Sequence, residues 1–193
     1  MTAGAEDPAA RRERILDMAM QVAEEAGWHD LRLRVVAERL GLPLGAVLEA
    51  YRDADAVADA WFARALRAML AEPGPGFAAL PPSRRAAAVL GRWFEAQAAH
   101  RRVAGEMILT KLWPSHPHHW VPMVFSLSRL IHWVREAARL DAGGLQRQAE
   151  EVGLTLVFLR ALPVWLCDAG REQGRLRAFL ARNLRWLDRL PRR

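Results

Sequence analysis

Near the start of the chain apolar residues recur at spacings of three and four. Ile15, Met18, Ala19, Val22, Ala23 and Ala26 fall on one stripe, the pattern of a helix with a single buried face. Asp7 followed by Pro8 is a helix-start signal, and Gly27 closes the same segment. The pattern then shortens. A helix over about 31–40, with Asp30 as its cap, is followed by Gly41, where a tight turn needs a residue free to take positive φ. Pro43 opens another short helix, roughly 43–51. Asp53 caps a longer one running to about Ala71, with its acidic groups at the favourable end of the dipole. "EPGPGF" at 72–77 and "LPPS" at 80–83 break the chain. Helices follow near 83–99, 101–112, 118–140, 145–170 and 174–190, punctuated by "WPSHPHHW", "DAGG" and "GREQG". No run alternates with period two. The fold class expected is therefore all-α with about nine helices: a three-helix head over 1–52, a connecting helix over 53–72, and a helical bundle over 77–193.

Composition sharpens this picture in two places. Eight tryptophans and a 52% hydrophobic fraction exclude a disordered chain and promise a sizeable core. The single cysteine, Cys167, excludes an internal disulfide. The opening "MTAGAEDPAARRER" has no apolar core for a signal peptide, and no stretch reaches 18 uninterrupted apolar residues, so the expected place is the cytoplasm. The net charge of +6 suggests nucleic acid until it is divided. Residues 1–72 hold 9 Arg against 13 Asp and Glu, whereas residues 73–193 hold 19 Lys and Arg against 9 Asp and Glu. The basicity belongs to the bundle, not to the head.

Signs of catalysis are absent: the sequence has no nucleophile elbow, no glycine-rich phosphate loop and no dinucleotide fingerprint. The expectation is a protein that is not an enzyme, with no catalytic residue and no cofactor. His116, His118 and His119 crowd into "WPSHPHHW", but their spacing is not that of a helical pair and no Cys or acidic cluster accompanies them. No metal site is expected there. The stretch reads as a loop leading into a helix from His118.

Three segments together carry a family likeness. "RERILDMAMQVAEEAGW", "VVAERLGLPLGAV" and "YRDADAVADAWF" resemble the N-terminal domain of the Tet repressor (TetR) family, in the right order and spacing. Ile15, Ala19, Ala37, Leu40, Gly41, Gly45, Val47 and Tyr51 occupy places that family uses to build its helix-turn-helix head. The resemblance implies a homodimer with two such heads. It also implies a larger helical domain with an effector pocket, whose last two helices pair with the partner's, and ligand binding that moves the heads apart. Where the family usually carries lysine or serine, threonine, tyrosine, histidine and lysine, this chain has Leu44, Ala46, Leu48, Ala50 and Ala54.

DNA affinity comes largely from Lys and Arg at phosphates, and specificity from polar edges at bases. Leu44 and Leu48 share a helix face and can offer a thymine-methyl contact, and Glu49 adds repulsion. Operator contact is therefore expected from Arg12, Arg32, Arg34, Leu44, Gly45, Leu48 and Arg52, with help from backbone amides at the start of the second helix. A same-fold relative, the coenzyme Q biosynthesis lipid-binding family, resembles the chain in its contact-poor helix-turn-helix and amphipathic C-terminal helix. Two readings stay open here: a ligand-responsive DNA regulator, or a carrier of a lipid or prenyl-like molecule that has lost its operator or meets a protein or membrane partner.

In the bundle, residues 150–168 are apolar nearly all round and should be central, with a kink near Leu159 because Pro163 cannot donate to its carbonyl. Phe94, Met107, Phe125, Trp133, Phe158, Leu162 and Trp165 are the candidates to line a pocket for a small apolar effector or lipid. The dimer face is expected at Leu156, Leu159, Leu176, Phe179, Leu180, Leu184 and Leu187. Arginines rim the last helix, so a membrane-lying role with Trp186 near the headgroups is the less favoured alternative.

Overall fold

A computed structural model describes residues 7–112, 117–168, 170 and 172–191, without the side chains of residues 111–112 and 117–125. Among the described residues all regular structure is helical: α1 (Pro8–Ala26), α2 (Leu33–Leu40), α3 (Leu44–Ala50), α4 (Ala54–Met69), α5 (Pro82–Glu95), α6 (Arg101–Leu112), α7 (Pro117–Ala137), α8 (Gly144–Leu166) and α9 (Gly174–Asn183), with short 3-10 turns between. The chain divides into two compact units. One comprises Met1–Arg64 with His100–Thr110; the other comprises Ala65–Ala99 with Lys111–Arg193. The division falls inside α4, and most of α6 joins the first unit.

The first unit is built from the punctuation read above. The Asp7 carboxylate accepts from the Ala9 amide at 3.2 Å, with Pro8 opening the helix, and Gly27 ends α1 at φ 91°. Gly41 sits in the left-handed region at φ 63°; its amide bonds to Glu38 O and that of Leu42 to Ala37 O, which satisfies the last carbonyls of α2. Asp53 caps α4 through the Ala56 amide at 2.7 Å. Asp30 differs from the expectation. It ends a 3-10 turn over Trp28–Asp30, α2 begins only at Leu33, and the Arg32 position before it has no side-chain cap. The Asp30 carboxylate instead lies 3.7 Å from the Arg32 guanidinium.

The core of this unit joins Ile15, Leu16, Ala19 and Met20 of α1 to Val36, Val47, Tyr51, Val57 and Trp61, all buried. α6 completes it with Val103, Ala104 and Met107. Arg102 of α6 donates to the carbonyls of Ala23 and Glu24, the end of α1 where a cation is favoured. Glu106 accepts from the Trp28 amide at 2.7 Å. Arg39 reaches from α2 to Glu25 of α1 through two bonds of 2.8 and 2.6 Å, and its guanidinium lowers the Glu25 carboxyl below its usual value.

The second unit packs α5, α7, α8 and α9 around Leu90, Phe94, Ile131, Val134, Leu154 and Trp165. A buried ion pair joins α7 to α8: the Arg135 guanidinium donates to Glu150 Oε2 at 3.0 and 3.1 Å and to the carbonyls of Leu140 and Ala142 in the connecting loop. α5 has no capping side chain of its own. Asp188 supplies one from the far end of the sequence, accepting from the Ser83 amide at 2.9 Å and the Ser83 hydroxyl at 2.6 Å. The final helix, expected over 174–190, stops at Asn183 and becomes a 3-10 turn over Arg185–Arg189. That turn carries Asp188. α8 runs through Pro163 to Leu166 as one helix.

Candidate nucleic-acid interface

The turn at Gly41 fixes where α3 starts, and Val47 and Tyr51 fix which way it faces. Both are buried, and the side of this seven-residue helix next to them points outward. Leu44 and Leu48 are there, 55% and 61% exposed, with Gly45 and Glu49 beside them. An exposed leucine is ordinary; two, one turn apart on a short helix beside a glycine and a glutamate, form an apolar face that offers no side-chain hydrogen-bond donor.

The expected arginines do not gather on that face as free cations. Arg12 holds the head together: its guanidinium donates to Ala50 O and lies 4.4 Å from the Tyr51 ring centroid, while the Tyr51 hydroxyl donates to Arg12 O at 3.1 Å. Burial pushes the Tyr51 phenol above its ordinary value, against the opposing pull of Arg12. Arg32 donates to His29 O at 3.2 Å, Arg34 pairs with Glu38 at 3.1 Å, and Arg52 pairs with Asp53 at 3.1 Å. The last three remain exposed. Surface pairs of this kind are worth roughly 0–1 kcal/mol, so a phosphate can replace the carboxylate.

In the second unit the pocket candidates separate into three groups. Phe94, Phe158 and Trp165 pack ring against ring, with Phe94 5.6 Å from Phe158 and 5.5 Å from Trp165, and Leu162 is buried. This is filled core. Trp133 is half exposed on α7, and Met107 belongs to the core of the other unit. The side chain of Phe125 lies outside the described residues, as do His116 and the side chains of His118 and His119. Open space lies elsewhere, in a groove of about 730 Å³ between α5 and α9 lined by none of the pocket candidates. Sequence reasoning missed it because its floor consists of Ala87, Ala88, Gly91 and Ala181, residues whose smallness matters only once two helices are laid side by side.

The expected dimer residues also divide. Leu176, Leu180, Leu184 and Leu187 are buried within the chain's own core. These four therefore depart from the expectation: the α9 stripe is consumed by packing on α5 and α8. Phe179 is half-buried, whereas Leu156 and Leu159 are exposed, and Val152 joins them as a residue not singled out. Spacings of four and three put Val152, Leu156 and Leu159 on one face of α8. Because α8 is apolar nearly all round, no periodicity in the sequence could say which of its faces stays uncovered.

Among the described residues no group of His, Cys, Asp or Glu side chains could hold a metal ion, and no helix is long and apolar enough to cross a membrane. No family model matches the chain, and no curated protein does either. Solved structures do. The crystal structure of the TetR transcriptional regulator from Nitrosomonas europaea ATCC 19718 is 34% identical, with 95% of this chain and 100% of that one covered and a TM-score of 0.82. A TetR transcriptional regulator from Rhodococcus sp. RHA1 is 18% identical over 94% and 97% of the two chains, with a TM-score of 0.63. A further transcriptional regulator from the same Rhodococcus is 20% identical over 93% and 99%, with a TM-score of 0.61. At the identities of the two Rhodococcus proteins the likeness speaks for the fold alone.

Proposed function

Since the chain belongs to the TetR family of transcriptional regulators, we propose that it acts as a homodimer on operator DNA, with an affinity that answers to a small apolar molecule held in the second unit. The observation that carries this reading is the full-length likeness at 34% identity, joined to a helix-turn-helix whose Gly41 turn and outward α3 are intact. α3 enters the major groove with Leu44, Gly45 and Leu48 against the bases, and Arg32, Arg34 and Arg52 exchange their carboxylate partners for phosphates. Backbone amides at the uncapped start of α2 add a phosphate contact. The exposed Val152, Leu156 and Leu159 of α8, with Phe179, supply the face for a second copy. α4, which begins in one unit and ends in the other, is the covalent link through which a bound ligand reaches the head. A carrier that has lost its operator is the less favoured reading, because the 34% identical protein is a transcriptional regulator.

The test is a titration of the purified protein against DNA from upstream of its own gene, at low and moderate salt. Sequence-selective binding below micromolar concentration that weakens steeply with salt is expected. Equally feeble binding to every duplex overturns the reading.

A further inference from the structure

The groove between α5 and α9 has the marks of a built site. Asp188, just past α9, bonds to Ser83 in the first turn of α5, so the two helices run in opposite directions. The volume between them, about 730 Å³, falls inside the range of roughly 300–1,000 Å³ usual for small-molecule sites. From Arg84 to Glu95 its lining follows α5 for about 16 Å at the helical rise. A Cβ placed on Gly91 meets nothing within 4 Å. The floor is thus space that the chain's own side chains leave empty.

The rim is charged. Arg84, Arg92 and Arg177 line it against a single carboxylate, Glu95, an excess of positive charge over an otherwise apolar floor. Arg92 is engaged: it donates to Ala71 O and sits 5.9 Å from the Phe77 ring. Arg84 and Arg177 form no side-chain hydrogen bond or ion pair among the described residues. One polar side chain of the lining is buried as well, beside the buried Leu176 and Leu180. Gln173, 4% exposed, holds a left-handed backbone at φ 49° at one end of the groove. Left-handed backbone is unfavourable at a residue other than glycine, so this end of the groove is held in place by the packing around it. A ligand acceptor at the groove end shared by Gln173 and Arg177 meets an amide and a guanidinium side by side.

We infer that this groove binds an aliphatic carboxylate of the fatty-acid type, its chain over Ala88, Gly91 and Leu180 and its carboxylate at Gln173 and Arg177. This names a ligand class for the effector reading above and rests on it only for the consequence at DNA; capture itself needs neither DNA nor a second subunit. Calorimetric titration of the full chain with dodecanoate, dodecanol and dodecyltrimethylammonium, each kept below its micellar concentration, tests it. Dodecanoate is expected to bind one per chain, the alcohol at least tenfold more weakly, and the cation not at all. Arg177→Ala and Gln173→Ala should each weaken dodecanoate at least fivefold. Gly91→Leu places a better helix former in open space, so it should fold normally and abolish binding. Equal binding of the three amphiphiles, no binding of dodecanoate, or undiminished binding by folded Gly91→Leu overturns the site. Dodecanoate that binds in the groove but leaves operator affinity unchanged overturns only its role as effector.

Discussion

Arg12 and Tyr51 show how one residue can be taken out of a DNA-contacting role by its own fold. The guanidinium that the sequence offers to phosphate lies over an aromatic ring and bonds to the end of α3. On the proposed reading, recognition falls to Leu44 and Leu48, whose contribution is apolar. Leu48→Ala should weaken operator binding by roughly 1 kcal/mol, with the salt dependence unchanged. Replacing the contacted thymines by uracil, which removes only the methyl groups, should cost about as much in wild-type protein and little more in the variant. Arg34→Ala should do the opposite, lowering affinity on all sequences and reducing the salt slope by about one ion. Fluorescence anisotropy at several salt concentrations separates the two. Tyr51 also makes a pH prediction. Its folded-state value is raised, so the neutral phenol is the form that suits the fold; the contribution is complete below about pH 10 and is lost as pH rises through the higher folded value. Alkaline unfolding should therefore come later in Tyr51→Phe than in wild type, once their neutral-pH stabilities are set equal.

At the scale of helices, ends were more legible than faces. Asp7 with Pro8, Gly41 and Asp53 mark their boundaries because a cap needs a particular side chain or a particular φ at one position. The end of α9 escaped such reading, since what stops it is distant: Asp188 has to reach the start of α5. Faces depend on neighbours. The α9 leucines were expected on a dimer face because a stripe in the sequence does not name what it packs on, and here α5 and α8 cover it. The apolar face of α3 was legible because Leu44 and Leu48, four apart, share one side of a helix. Gly153 on α8 illustrates a contact no pattern could reveal. A Cβ there would fall inside the contact distance of the Trp186 ring. Gly153→Ala, a gain in helix propensity of about 1 kcal/mol by itself, should instead destabilise by roughly 1–3 kcal/mol, and adding Trp186→Leu should recover the loss in urea unfolding. The Arg135–Glu150 pair joins α7 to α8 with both side chains almost wholly buried. Glu150→Ala removes the buried carboxylate, leaves the guanidinium only the longer 3.8 Å contact with Glu151 as a charge pair, and should cost about 3–5 kcal/mol, whereas the Arg135→Met, Glu150→Leu double variant should cost much less.

For the molecule as a whole, the surface left over after folding is the guide to assembly. Val152, Leu156 and Leu159 are exposed on α8 in a single chain, and an uncovered apolar stripe of this kind is favourable only when something lies on it. Leu156→Glu should convert a dimer to a monomer in analytical ultracentrifugation, leave the unfolding of the single chain little changed, and weaken binding to a two-fold symmetric operator. Leu184→Glu tests the other half of the expectation: it should unfold the chain, because that leucine belongs to the core of its own subunit.

The first unit borrows His100–Thr110 from far along the chain, with Met107 in its core and Glu106 on the Trp28 amide. A ribosome making this protein therefore emits the helix-turn-helix long before it emits the segment that closes it. At roughly 5–20 residues per second, the nascent head waits several seconds with that side uncovered. A head fragment cut after α4 would inherit the same gap permanently, so the smallest autonomous head of this protein is discontinuous in sequence.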